Sequence, residues 1–244
     1  WGCIPSKSLL RNAEVLNLVK DAEKFGISFD NLSYDFGKAI DRSRQVVRRL
    51  TTGVGYLLKK NNVKHIVGSA TFVDAHAIQI GTATGENRTV SAENIIIATG
   101  ARQREIPTLP IDHNVVITSR DALEMREIPN RVVVIGGGAT GAEFSHVYRS
   151  YGSEVTIVEL MDRIVPNEDQ EISEVLDKSF RDQGIESRTS ASVEAIEING
   201  DIATVKISEN GSNSEIECDK VLVAVGVQGN TDGIGLEQVG VATD

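Results

Sequence analysis

The sequence predicts an α/β protein, and three observations support this fold class. A β-branched apolar run at 132–135 leads into glycines at G-x-G-x-x-G spacing, residues 136–141. A helix-compatible segment then leads to a second apolar run at 155–158, and Glu159 follows that run directly. The order of strand, tight turn, helix, strand and acid is typical of the βαβ unit that binds a dinucleotide.

Each glycine of this motif has its own physical role. Gly136 permits the tight turn, Gly138 lets the backbone approach a pyrophosphate, and Gly141 lets the helix pack closely on the strand. The N-terminus of that helix offers unpaired N–H groups and a positive dipole end to phosphates. The glycines alone would equally fit a loop without a ligand, whereas both strands and the acid together indicate dinucleotide binding.

Glu159 indicates which dinucleotide is bound. A carboxylate at the end of the second strand can accept hydrogen bonds from both hydroxyls of the adenine ribose, and it would repel a 2′-phosphate. We therefore predict NAD rather than NADP. Arg163 is the competing signal, but a single arginine beyond the acid is more often a solvated surface charge.

Upstream of this unit, the apolar pattern predicts two long helices and a small antiparallel meander. The first helix has Ser6 as its N-cap and stops at Gly26; the second covers about 34–60, and Gly53 and Gly55 interrupt its pattern. Gly- and Thr-rich residues 81–87 predict a hairpin turn. Strands are predicted at 64–68, 71–73, 77–80, 88–91 and 94–98, the last of them a buried run.

Downstream, the pattern predicts a short capped helix and the rest of an α/β sheet. Thr118 with Asp121 three residues later indicates a capping box. A helix is expected at about 169–183 with a stop at Gly184. Further strands are predicted at 185–188, 193–198, 202–208, 214–218 and 221–225.

Composition limits the classes of partner. The net charge of −10 argues against nucleic acid and against an anionic membrane, and no apolar run approaches the ~18 residues that span a bilayer. Two cysteines do not make an extracellular disulfide framework, so we expect a reducing compartment, the cytoplasm or, in a eukaryote, the mitochondrial matrix. The chain opens on Trp1 and stops inside a strand-and-turn pattern, so we expect a piece of a longer protein.

Cys3 is a candidate reactive thiol. It lies just before the first predicted helix and Lys7 follows one turn later, and both features favour thiolate over thiol. From the residues alone the alternative stays open, namely a cysteine that packs as a small hydrophobe. Cys218 is predicted to be a buried or half-buried strand residue without redox chemistry.

The segments Gly2-Cys3-Ile4-Pro5-Ser6-Lys7, Ala98-Thr99-Gly100 and 136–159 together resemble the pyridine-nucleotide disulfide oxidoreductases, over essentially the whole chain. In that family the cysteine segment is C-x-x-x-x-C-x-x-[SK]-K, a redox disulfide beside a flavin, and Cys3 matches the second cysteine. The resemblance implies two Rossmann-like FAD- and NAD(P)-binding domains, each a parallel sheet with a small antiparallel β-meander. The first, incomplete, is expected at 1–127 and the NAD-binding domain at 128–244.

The resemblance also implies roles for single residues. Cys3 matches the cysteine that faces the flavin, Lys7 the lysine near the flavin N5, and Glu143 the glutamate that pairs with this lysine and keeps it protonated. No metal site is expected. The matched FAD contacts are Lys7, Ala70, Thr99, Gly100 and Ala101. The matched NAD contacts are Gly136, Gly137, Gly138, Ala139, Thr140, Gly141, Glu143, Glu159, Val193 and Gly226.

The activity that the resemblance implies is the oxidation of dihydrolipoamide by NAD⁺ through a redox disulfide and FAD. The dihydrolipoamide would sit on a carrier domain of a 2-oxoacid dehydrogenase or glycine cleavage complex, and the full-length protein would be a homodimer. One alternative is another member of the family, of the mercuric or glutathione reductase type, against which Glu159 argues. The other is a catalytically silent NAD-binding fragment.

Three departures from the family pattern bear on what can be assigned. None of the four histidines has a Glu five residues on, as the family's catalytic histidine would. The loop Val227-Gln228-Gly229-Asn230 replaces the commoner Arg-x-Pro-Asn, so no role is assigned to it. Thr140 stands where the family usually has Ile or Val, without removing the phosphate site.

Overall fold

The structure is a computed structural model that describes residues 1–243, and the chain forms two compact units. The larger unit comprises Trp1–Thr51 and Gln103–Gly226. The smaller unit comprises Thr52–Arg102 and the segment that starts at Val227. The domain boundary that we place between residues 127 and 128 stays a prediction.

Most of the predicted helices and strands form in the predicted order, and the short strands at 101–103, 116–118 and 227–229 are additional. The helices are α1 (Cys3–Lys20), α2 (Phe36–Lys60), α3 (Ser119–Ala122), α4 (Ala139–Ser150) and α5 (Gln170–Gln183). The strands are β1 (Ser69–Asp74), β2 (Ala77–Gly81), β3 (Asn87–Ser91), β4 (Ala101–Gln103), β5 (Val116–Thr118), β6 (Arg131–Ile135), β7 (Glu154–Val158), β8 (Ile185–Arg188), β9 (Ala191–Asn199), β10 (Ile202–Glu209), β11 (Ser212–Cys218), β12 (Lys220–Val223) and β13 (Val227–Gly229).

The larger unit has three layers around a parallel sheet of strand order β5-β12-β6-β7-β8. On β6, Val132 and Val134 pack into a core cluster shared with α1, α4 and α5, whereas Val133 and Ile135 pack into a second cluster shared with the antiparallel meander β9–β11. Successive side chains point to opposite faces of a strand, and both faces are covered here. This explains the uninterrupted apolar run at 132–135 and confirms the predicted α/β fold class.

The smaller unit contains the predicted upstream meander. β1, β2 and β3 form an antiparallel sheet in that order, and the predicted hairpin turn joins β2 to β3. Gly85 in that turn has a φ of +81°, a conformation that glycine adopts without strain. A second, two-stranded sheet pairs β13 with β4.

Two predicted helix boundaries are confirmed. Thr118 and Asp121 form the capping box at the start of α3, with the hydroxyl of Thr118 accepting from the Asp121 N–H. Gly184 ends α5 in the left-handed conformation with φ +81°. Both boundaries depend on local hydrogen bonds and backbone freedom, so the sequence alone specifies them.

The start of α1 differs from the prediction. Gly2 is the N-cap, so Ser6 lies inside the first turns, where its hydroxyl donates to the Cys3 carbonyl at 3.3 Å. Pro5 is tolerated there because the N–H that it lacks would have no helical acceptor. As a consequence Cys3 is the first residue of the helix rather than a residue before it.

α2 runs without interruption through both of its glycines. A Cβ at Gly53 or at Gly55 would meet nothing within 4 Å. A glycine inside a helix lowers its stability by about 1 kcal/mol relative to alanine but does not end it. The break considered at these positions is therefore absent.

Two predicted strands, 64–68 and 94–98, do not form within the described residues. The run at 94–98 was expected to be buried, yet Ile96 is 90% exposed and Ile97 39% exposed. A β-branched run becomes a strand only where a neighbouring strand pairs with its backbone and a core covers its side chains. No strand of residues 1–243 pairs with either segment, so these two predictions are wrong.

Tyr148 of α4 is fully buried, and within the described part of the chain its hydroxyl has no hydrogen-bond partner. A buried unpaired hydroxyl lowers stability by about 1–3 kcal/mol. We expect Tyr148→Phe to leave the free energy of unfolding in urea unchanged or to raise it by about 1 kcal/mol. Tyr34→Phe is the control: the Tyr34 hydroxyl donates to the Tyr151 carbonyl at 2.9 Å, and its removal should lower stability by about 1 kcal/mol. A clear loss in Tyr148→Phe would contradict the prediction.

The burial of Tyr148 also predicts how the free energy of unfolding changes with pH in the alkaline range. Burial raises the pKa of Tyr148 well above its ordinary value of 10.0. In this range the unfolded chain loses the proton before the folded chain does, so the contribution of Tyr148 is full below pH 10 and falls as pH rises above it. The free energy of unfolding should therefore decline less steeply above about pH 10 in Tyr148→Phe than in the unsubstituted protein. Equal slopes would contradict this.

Candidate functional site

Most of the predicted dinucleotide residues lie at the carboxyl ends of neighbouring parallel strands. The glycine motif follows β6, Glu159 follows β7, and Gly226 lies three residues beyond the end of β12. From β6 the chain continues to β7 and β8 on one side, whereas β12 lies on the other side of β6. In open α/β sheets a ligand binds outside the carboxyl ends of the strands at such a reversal of strand order. We therefore take this edge as the candidate site.

The glycines of the motif differ in what surrounds them. Gly136 has a φ of +102°, and a Cβ there would lie 2.5 Å from the Ala224 carbonyl oxygen. A Cβ on Gly141 would overlap the Gly136 carbonyl oxygen and lie 3.2 Å from Val134. A Cβ on Gly138 would meet nothing within 4 Å. The first and third glycines are thus needed by the fold, while the space beside Gly138 is open to a ligand.

The first turn of α4 faces the same open space. Gly138 is the N-cap and has no side chain that could accept hydrogen bonds from the first N–H groups of the helix. Ala139 and Thr140 are exposed. The first N–H groups of a helix have no acceptor within the helix and lie at its positive dipole end. This turn can therefore donate hydrogen bonds to an anionic group such as a pyrophosphate.

Glu159 is 7% exposed, and its carboxylate is held by two backbone N–H groups. Oε2 accepts from the Gly137 N–H at 2.6 Å and Oε1 from the Met161 N–H at 2.8 Å. The Arg163 guanidinium donates to Asp162 Oδ1 at 3.0 Å and to the Pro166 carbonyl at 3.2 Å. The acid is thus fixed beside the glycine motif, and the competing arginine has other partners.

The two remaining predicted NAD residues take different positions. Gly226 has a φ of +99°, and its carbonyl accepts from the Arg104 N–H at 3.2 Å. Val193 lies on β9 opposite Ile207 of β10 and packs, partly buried, against the core cluster of the meander. Gly226 therefore belongs to the strand-end edge, whereas the contacts of Val193 within the chain are those of a packing residue.

The predicted catalytic residues lie on two helices that pack together. Cys3 is exposed, and Lys7 follows it one turn later on α1. The Lys7 ammonium forms an ion pair with the Glu143 carboxylate on α4. These two residues are 136 positions apart in the chain, and the packing of α1 on α4 brings them together.

Two of the predicted FAD residues in the smaller unit, Thr99 and Gly100, lie in a loop that is hydrogen-bonded to a second loop at Asn230. Thr99 Oγ1 donates to the Asn230 carbonyl at 2.7 Å, the Asn230 N–H donates to the Gly100 carbonyl at 3.0 Å, and Asn230 Nδ2 donates to the Thr99 carbonyl at 3.2 Å. Gly100 has a φ of +77°. Ala101 begins β4, and Ala70 is an exposed residue of β1.

Asn230 and Arg102 are the residues of this loop pair that sequence reasoning missed. Arg102 donates to the Gly229 carbonyl at 3.1 Å and forms an ion pair with Asp232 at 2.6 Å. The available signal was Asn230 itself, the position at which the loop agrees with the family pattern Arg-x-Pro-Asn. Val227 and Gly229 in the same loop differ from the Arg and Pro of that pattern. For this reason the match at Asn230 alone is not enough to assign a role to the loop.

The different exposure of the two cysteines predicts which of them a thiol reagent labels in the folded protein. Cys3 is exposed, whereas Cys218 is 1% exposed and burial raises the pKa of its thiol to about 11. Because the thiolate is the reactive form, iodoacetamide at about pH 7.5 should alkylate Cys3 in the folded protein and reach Cys218 only after unfolding. Mass spectrometry of peptides gives the site. Labelling that persists at Cys218 in folded Cys3→Ser would contradict the prediction, and Cys218→Ser is the matched control.

Two further properties are clear for residues 1–243. No group of three or more His, Cys, Asp or Glu side chains in this range is placed to hold a metal ion. In the same range no helix combines the length and the hydropathy needed to cross a bilayer.

Comparison with known proteins defines the class. The profile of the pyridine nucleotide-disulphide oxidoreductase family matches residues 1–244, and the chain belongs to this family. It is 42% identical to a dihydrolipoyl dehydrogenase of Chlorobaculum tepidum, covering 100% of this chain and 52% of the relative. It is 44% identical to a dihydrolipoyl dehydrogenase of Mycobacterium leprae, covering 99% of this chain and 52% of the relative. The chain thus spans about half the length of the relatives it matches.

Solved structures agree with this assignment. The chain is similar to LpdA from Mycobacterium tuberculosis, with a TM-score of 0.89 and 26% identity, over 99% of this chain and 52% of that one. It is also similar to the HOCl-induced flavoprotein disulfide reductase RclA from Escherichia coli in its Cu(II) complex, with a TM-score of 0.80 and 30% identity, over 100% of this chain and 51% of that one. The predicted fold class and family are confirmed.

Proposed function

We propose that the protein containing this chain oxidises dihydrolipoamide with NAD⁺ through a redox disulfide and FAD. The observation that carries the proposal is the packing of α1 on α4, which joins Lys7 to Glu143. α1 bears the thiol of Cys3, and α4 begins at the glycine motif. The helix that bears the thiol therefore packs directly on the helix that begins at the glycine motif.

The overall reaction balances without a further reactant. Dihydrolipoamide gives up two electrons and two protons as its two thiols become a disulfide. NAD⁺ takes up a hydride, and one proton is released to solvent. A low-pKa thiolate is needed for the exchange between substrate thiols and the protein's disulfide. Cys3 would supply the flavin-facing sulfur of that disulfide.

Several features fit FAD as the flavin of this family. Lys7 stays 58% exposed although it is paired, so its ammonium can also face a ligand. Gly100 has a φ of +77°, and a Cβ there would lie 3.8 Å from Asn230 Nδ2. FAD, when bound, would supply the two-electron transfer between thiols and dinucleotide. Lys7 would hold positive charge beside it, and Glu143 pairs with Lys7. Ala70, Thr99 and Ala101 would contribute backbone contacts.

NAD is proposed at the carboxyl edge of the parallel sheet. The first turn of α4 would bind the pyrophosphate, with Gly138 at the closest approach. Glu159 would accept hydrogen bonds from the adenine ribose and repel a 2′-phosphate, and Arg163 is engaged by Asp162 and Pro166. This supports NAD over NADP. Gly226 and Val193 are retained as further proposed NAD contacts.

The relatives named dihydrolipoyl dehydrogenase support the thiol substrate. We propose that the dihydrolipoamide is presented by a carrier domain of a 2-oxoacid dehydrogenase or glycine cleavage complex. A homodimer in the cytoplasm, or in the mitochondrial matrix of a eukaryote, is the proposed state of the full-length protein.

The experiment uses the full-length protein that contains this chain. A yellow flavin spectrum and formation of NADH from dihydrolipoamide are expected. Cys3→Ser should lower the turnover at least about 1000-fold because the flavin-facing sulfur of the redox disulfide is lost, whereas Cys218→Ser should retain it. A colourless preparation, or one that turns over glutathione disulfide or Hg²⁺ with NADPH instead, would refute the proposal.

A further inference from the structure

We infer that Glu159, together with the backbone of Val165, holds the peptide groups of Gly137 in place before any dinucleotide binds. The carboxylate would then have two tasks, contact with the ribose and positioning of the glycine motif. This inference rests on the proposed NAD site and deepens it, but its first test needs no ligand.

Both backbone polar groups of Gly137, its N–H and its carbonyl, are hydrogen-bonded. Its N–H donates to Glu159 Oε2 at 2.6 Å, and its carbonyl accepts from the Val165 N–H at 2.8 Å. The residue is buried, and a Cβ there would lie 3.1 Å from Ile164 and 3.3 Å from the Glu159 side chain. Gly137 is therefore enclosed by the same two segments that hydrogen-bond to it.

Val165 adopts a backbone conformation that a β-branched residue avoids. Its φ is +42°, and such strain persists only where surrounding contacts over-determine it. Besides the bond to Gly137, the Val165 carbonyl accepts from the Glu168 N–H at 2.9 Å and from the buried Ser173 hydroxyl at 3.3 Å. The segment that carries the Val165 N–H is thus anchored on the start of α5.

The Glu159 carboxylate has room for both tasks. An ionised carboxylate offers about four acceptor positions, and Gly137 and Met161 occupy two of them. Ribose hydroxyls could use the remaining positions without displacing Gly137. Removal of the carboxylate would then release the glycine motif as well as the ribose contact.

Hydrogen exchange of the ligand-free protein tests the positioning directly. In Glu159→Ala the amides of Gly137 and Val165 should exchange at least about tenfold faster than in the unsubstituted protein. Glu154→Ala removes an exposed carboxylate from the other end of β7 and should leave both rates unchanged. Unchanged protection of Gly137 in Glu159→Ala would overturn the inference. Glu159→Gln keeps one acceptor oxygen in the same volume and should restore part of the protection.

Binding of a modified dinucleotide separates the two tasks. Calorimetry would compare NAD⁺ with an analogue that lacks the 2′ and 3′ hydroxyls of the adenine ribose. If Glu159 also positions the motif, Glu159→Ala should weaken binding of this analogue, by about tenfold or more. An unchanged affinity for the analogue would show a ribose contact alone and overturn the inference. Absence of NAD⁺ binding in the unsubstituted protein would instead refute the proposed NAD site, and the exchange rates would still decide the positioning role.

Discussion

Replacement of Gly141 with alanine is expected to destabilise the larger unit by at least about 3 kcal/mol, because the new methyl group has no space. A Cβ there would overlap the Gly136 carbonyl and press on Val134. Both neighbours belong to the turn and strand that begin the βαβ unit, so neither can move without disturbing the central sheet. The gain in helix propensity, about 1 kcal/mol, is too small to offset this.

Urea unfolding followed by circular dichroism measures this effect. Gly55→Ala is the matched control, since it makes the same substitution inside a helix where a Cβ meets nothing within 4 Å. Gly55→Ala should stabilise the protein by up to about 1 kcal/mol. If Gly141→Ala unfolds at the same urea concentration as the unsubstituted protein, the close packing of α4 on β6 is not as described.

Replacement of Gly138 with valine is expected to have the opposite pattern, with the fold retained and NAD affinity reduced about 100-fold. A side chain at Gly138 meets no protein atom within 4 Å, and its φ of −69° suits any residue. Stability should therefore change by less than about 1 kcal/mol. The added methyl groups occupy the space in which the pyrophosphate would approach the backbone.

Calorimetry with NAD⁺ measures the loss of affinity, and Gly138→Ala should give an intermediate value. Because Gly138→Val is expected to unfold normally, weak binding cannot be attributed to loss of structure. Normal NAD⁺ affinity in this variant would place the dinucleotide elsewhere and remove the main support for the proposed site.

The sequence by itself determined the βαβ unit and the order of most elements. The signals for these are local: the period of the apolar residues, the spacing of the glycines, and the acid directly after a strand. The capping box at Thr118 and the stop at Gly184 are equally local. Pairing partners, by contrast, are not contained in a segment, so the run at 94–98 has strand composition and nevertheless leaves Ile96 exposed.

Only the tertiary structure decided which distant residues meet. Glu143 has the local pattern of a surface charge on a helix, and its assignment came from family resemblance until the packing of α1 on α4 placed Lys7 against it. Asn230 joins Thr99 across 131 positions, and Val165 reaches Gly137 through a strained backbone that no propensity indicates. Such contacts depend on how whole helices, strands and loops pack together. Packing joins side chains that are far apart in the sequence, and the local pattern around each of them does not indicate its partner.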